Sequence, residues 1–84
     1  MKLPKKIKLR DRKLWRENAQ GLAHHADNLI EVDPRLGGGK SRMNVILHEC
    51  LHLCFPDLGE RSVRAVTHRL TTVLWNDRWR RVED

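Results

Sequence analysis

The chain has 84 residues, 39% of them hydrophobic and 33% charged, with 17 Lys and Arg against 11 Asp and Glu for a net charge of +6. That length fits a single domain, residues 1–84, of a size that is marginal without help such as a bound metal, and the hydrophobic share argues against disorder. No apolar run is long enough to cross a bilayer, and none of signal-peptide type follows the basic opening Met1-Lys2-Leu3-Pro4-Lys5-Lys6, so a cytoplasmic protein without membrane contact is expected.

In chain order, residues 5–10 alternate basic and apolar side chains, the period of a half-buried strand. Asp11-Arg12 suits a turn, and residues 13–16 suggest a second strand. Residues 17–28 are polar and contain Gly21 and the pair His24-His25, which predicts a loop with exposed histidines. Leu29-Ile30-Glu31-Val32 reads as a short strand stopped by Asp33-Pro34. Lying at a sheet edge, it could accept an extended peptide; the alternative is that it only backs the helix that follows.

Gly37-Gly38-Gly39 gives a flexible connection without the remaining spacing of a phosphate-binding loop. Ser41 is placed to cap a helix over 43–54, and Pro56 ends it. Asp57 then caps a second helix reaching about Trp75, with the apolar stripe Val63, Val66, Leu70, Val73 and Leu74. Trp75 and Trp79, four apart, are expected to seal the core, and the tail 76–84 is charged. The predicted fold is α+β: a small, mainly antiparallel sheet of two or three strands with two helices on one face.

The first helix carries His48-Glu49-Cys50-Leu51-His52. Histidines four apart stack on one helical face, where both imidazoles can reach one Zn²⁺. Glu49, beside the first of them, is placed to accept a proton from an attacking water and return it to a leaving amine. Every position between Val45 and Cys54 other than this motif is uncharged, as in a buried helix whose polar groups need a partner. Cys50 points about 200° away from His48. Cys50 and Cys54 therefore face the opposite side with Met43 and Leu47, as buried free thiols outside the metal site. Three downstream residues are candidates for a third ligand: Asp57, Glu60 and His68. Glu60 flanks the apolar stripe of the second helix, near enough to face its neighbour. With Asp57 it also has the spacing of a capping box, so a backbone role is the alternative. His68 faces outward on the same wheel.

The run from Ile46 to Glu60, including His48-Glu49-Cys50-Leu51-His52 and Phe55-Pro56-Asp57-Leu58-Gly59-Glu60, resembles small phage- and prophage-encoded metallopeptidase-like proteins of the minimal gluzincin type. Val63, Leu74-Trp75 and Val32-Asp33-Pro34-Arg35-Leu36 extend the likeness. It departs at Arg61, where a second acidic residue is common. The resemblance implies zinc, Glu60 as third ligand and hydrolysis of a peptide or protein substrate, in a host cytoplasm if the chain is phage-encoded. The rival expectation is a non-catalytic, zinc-stabilised interaction module. Its basic surplus and the Arg78-Trp79-Arg80-Arg81 tail would favour nucleic acid, unless they are simply solvated.

Overall fold

A computed structural model describes residues 2–82. Three short strands, β1 (Lys8–Asp11), β2 (Gly21–His24) and β3 (Leu29–Val32), are followed by two helices, α1 (Lys40–Cys54) and α2 (Glu60–Asn76). The architecture is α+β, as the sequence predicts. The sheet order is β1-β3-β2, so β3 is central. It pairs parallel with β1, Lys8 opposite Leu29, and antiparallel with β2, Gly21 opposite Val32. The sheet is thus mixed, and Leu29–Val32 is its centre rather than an edge.

Two local expectations give way here. Residues 13–16 form no strand: Leu14 is fully buried and Trp15–Glu17 make a single 3-10 turn. The anchor is Asp33, whose buried carboxylate accepts from the Leu14 N–H at 3.0 Å and the Arg35 N–H at 2.9 Å. Residues 17–28 are not one loop, because β2 lies within them. Asn18 and Asn28 each end a 3-10 turn in the left-handed region, at φ 51° and 49°, and turn the chain into β2 and β3. Asparagine tolerates that conformation better than most residues.

Alternation along β3 divides the sheet into two faces. Ile30 and Val32 point to α1 and form the core with Val45 and Leu53, while Ile46 and Cys50 pack at its margin. Cys50 therefore belongs to the sheet-facing side of α1 and is only partly buried, as is Cys54; both thiols are free. Glu31 points to the opposite face.

α1 begins at Lys40 with Gly39 as its N-cap, so Ser41 lies inside the helix and caps nothing. It ends at Cys54, just before Pro56. The Leu58 N–H donates to the Phe55 carbonyl at 3.0 Å, and this turn delays α2 until Glu60, behind Gly59. Asp57 is consequently not a cap, and no capping box forms with Glu60.

α2 packs against α1 through Val63, Thr67 and Thr71, all buried. The small threonines allow the helices to come close, and Asn44 Nδ2 donates to Thr71 Oγ1 at 3.2 Å. Of the expected stripe, Val63 is fully buried, whereas Val66, Leu70 and Val73 face solvent. Trp75 is partly covered by the Arg80 guanidinium, 3.4 Å from its ring centroid, and Trp79 is exposed. No described helix is long and apolar enough to cross a membrane.

Candidate metal centre

His48 and His52 lie one turn apart on α1, with ring centroids 4.8 Å apart and Nε2 atoms 3.1 Å apart. Glu60, the first residue of α2, reaches across the short 55–59 connection to both. Its Oε1 is 2.9 Å from His48 Nε2 and its Oε2 is 2.9 Å from His52 Nε2. Ligand atoms around a tetrahedral zinc at about 2.0–2.1 Å stand about 3.3 Å from one another. The observed spacings need only a small expansion to match that. His48, His52 and Glu60 are the one group of three potential ligands that converges among the described residues.

The other two candidates for a third ligand stay outside. His68 is exposed, two turns along α2, and Asp57 belongs to the turn before the helix. Glu60 can reach because the helix begins at that residue.

The electrostatics follow from this placement. Partial burial raises Glu60, but the neighbouring His48, His52 and Arg64 outweigh it and leave the carboxyl below its usual range. Glu49 is shifted the other way. Burial raises its carboxyl, the two histidines oppose this, and the charge of Glu60 adds to the rise. A carboxyl raised above its ordinary value is better matched to taking and returning a proton near neutral pH.

Glu49, His48 and Glu60 open onto a cleft of about 480 Å³ whose other walls include Asn18, Gln20, Gly21, Asn44 and Arg64. Gly21 lets β2 lie against α1 here. A Cβ at that position would overlap Val45 Cγ1 and stand 3.2 Å from Glu49 Cγ. Arg64, one helical turn beyond Glu60, holds its Nε 3.3 Å from Glu60 Oε1 at the cleft's rim. No motif in the sequence announces Asn44, Gly21 or Arg64 as neighbours of the histidines.

The adjacent histidines 24 and 25 diverge. His24 ends β2 and bonds through Nε2 to Glu31 Oε1 at 2.6 Å, on the far face of the sheet. His25 is exposed and donates through Nε2 to the His52 backbone carbonyl at 3.0 Å. Neither joins the cluster, although His25 steadies the last turns of α1.

Comparison with protein-family models, curated proteins and solved structures gives no match.

Proposed function

We propose that this protein is a zinc-dependent hydrolase of the metallopeptidase type, with His48, His52 and Glu60 holding the metal and Glu49 as general base and acid. The observation that supports the reading best is the meeting of two Nε2 atoms and one carboxylate, drawn from two helices, at 2.9–3.1 Å. A zinc ion held there would supply Lewis acidity and acidify the attacking water. Glu49 takes the proton from that water and delivers it to the departing amine. The unpaired thiols of Cys50 and Cys54 suit a reducing compartment, which favours action in a cytoplasm.

The outer edge of β2 supports a peptide or protein as the substrate. The Asp33 N–H donates to the Gln20 carbonyl at 2.9 Å, so in this antiparallel register Leu22 and His24 also turn their backbone groups toward β3. Gly21 and Ala23 then turn theirs outward, beside the cleft that holds Glu49. An extended peptide could add there as a further strand, its scissile carbonyl brought over the histidine cluster.

The test is elemental analysis of the wild type, His52→Ala and Glu49→Gln, followed by cleavage of a quenched peptide library. The reading expects about one zinc per chain in the wild type and in Glu49→Gln, little in His52→Ala, and cleavage by the wild type alone. A zinc-loaded wild type that cleaves nothing would leave a zinc-stabilised module in its place. A wild type that takes up no zinc would remove the metal reading altogether.

A further inference from the structure

The charge of this chain is not spread evenly. Between residues 2 and 17 stand eight basic residues and two acidic ones, so this segment carries the whole net charge of +6 and the remainder of the chain is balanced. It contains β1, an edge strand exposed along its full length, and the turn at Trp15–Glu17.

The face of the sheet turned away from α1 gives that charge a fixed form. Glu31, at its centre, has a side chain only 2% exposed, covered by Arg10, Arg12 and His24. Its Oε2 accepts from Arg10 Nη2 at 2.7 Å and from Arg12 Nε at 2.7 Å. Arg12 is held a second time by Glu17 Oε1, 3.0 Å from its Nη1. These pairs keep the buried Glu31 carboxylate charged and also fix two guanidinium groups that would otherwise swing freely, both of which remain substantially exposed, Arg10 at 59% and Arg12 at 41%. Alternation along β1 adds Lys8 to the same row, with cations repeating about every 6.6 Å. The bond between Arg12 and Glu17 also draws in the turn that carries Trp15, which is 58% exposed with the Arg16 guanidinium 5.0 Å from its ring centroid.

We propose that this open sheet face, with the basic segment leading into it, is a docking surface for single-stranded nucleic acid. A straight row of cations on an extended strand matches a polymer with regularly repeated phosphates, and guanidinium forks suit phosphate oxygens. An exposed tryptophan in the turn that follows β1 offers a base a stacking platform. A membrane surface would call for apolar side chains on the same face as the cations. Leu9, the exposed apolar residue of β1, lies on the opposite face, lining a cavity with Met43 and Ile46, and the leucines that share the face of the cations, Leu22 and Leu29, are half-buried. The proposal does not rest on the metal reading, since His48, His52 and Glu60 lie on the helices.

Fluorescence anisotropy with a labelled single strand of about 16 nucleotides tests it, against a duplex of equal length and against anionic phosphatidylserine vesicles. The wild type should bind the single strand with an affinity that falls steeply between about 50 and 200 mM salt. Changing Lys5, Lys6 and Lys8 together to Gln leaves the Glu31 network intact. It should weaken binding at least about tenfold and flatten the salt slope by about two. Trp15→Ala should weaken single-strand binding more than duplex binding. His52→Ala should bind as the wild type does, and so should Arg61→Gln/Arg69→Gln, which removes charge from α2. Equal weakening by the α2 variant would reduce the effect to net charge and overturn the proposal. No saturable binding at low salt, or binding to vesicles but not to the oligonucleotide, would overturn it as well.

Discussion

Gly21 and Val45 stand so close that no side chain fits at position 21, and this contact sets how nearly β2 approaches the helix bearing the histidines. Gly21→Ala should force Val45 aside and disturb Glu49, the next nearest side chain. The expected loss of stability is about 1–3 kcal/mol, the usual cost of overpacking. Urea unfolding monitored by circular dichroism would measure it; an unchanged midpoint would show that β2 can move away without cost.

Zinc should stabilise the fold, because the cluster joins α1 to α2. At a hundredfold excess over its dissociation constant, a ligand specific to the folded state contributes about 2.7 kcal/mol. In a domain of this size that is a rise in Tm of about ten degrees or more. Differential scanning fluorimetry with zinc and then with a chelator should show the rise and its reversal, and His48→Ala should show neither.

Thr67 and Thr71 lie one turn apart in the same interface and should respond in opposite ways. Thr67 Oγ1 is buried with no hydrogen-bond partner, so Thr67→Val should stabilise the protein by about 1 kcal/mol. Thr71 Oγ1 accepts from Asn44, so Thr71→Val should cost about 1 kcal/mol by leaving that amide unpaired. Denaturant midpoints of the two variants, measured side by side, check the pair.

Glu31 gives the protein an acid-sensitive component of stability. Hydrogen bonds from Arg12, opposed by burial and aided by Arg10 and His24, lower its carboxyl to about 2 from an ordinary value of 4.5. The folded state therefore binds this proton less readily than the unfolded chain. The stabilisation is complete above about pH 4.5 and disappears as the pH falls toward about 2. Unfolding midpoints at a series of pH values should fall more steeply across that window in the wild type than in Glu31→Gln. Parallel curves would mean that the carboxylate is not held by its arginines in solution.

What was legible in the sequence was what depends on neighbours a few residues apart. The run around His48 and His52 specifies a helix with two imidazoles on one face, although only Val45 and Leu53 of that run are buried, and β3 is bounded by its own Asp33-Pro34 stop. β2 was not legible, because Gly21-Leu22-Ala23-His24 contains no β-branched residue and becomes a strand only through β3 and the close approach of α1. The packing face of α2 departs from the apolar stripe for a similar reason. Hydrophobicity pointed to Val66, Leu70 and Val73, but close packing on α1 selected the smaller Thr67 and Thr71. Glu60 was identifiable as a candidate, yet its freedom from a capping role depends on where the turn at residues 55–58 lets α2 begin.

The strand order bears on how the chain reaches this structure. β2 and β3 form a hairpin and α1 follows directly, so their contacts close over short stretches of chain. β1 must instead find β3 across a separation that pairs Lys8 with Leu29, with β2 lying between them in sequence. Closing that loop costs entropy before any ladder bond repays it, and Arg10 and Arg12 repel each other until Glu31 is in place. β1 should therefore join last, onto a hairpin and helix already assembled, and be the first strand to open. The most highly charged segment of the chain is then also its most readily detached one, and in native-state hydrogen exchange its amides should lose protection before those of β2 and α1.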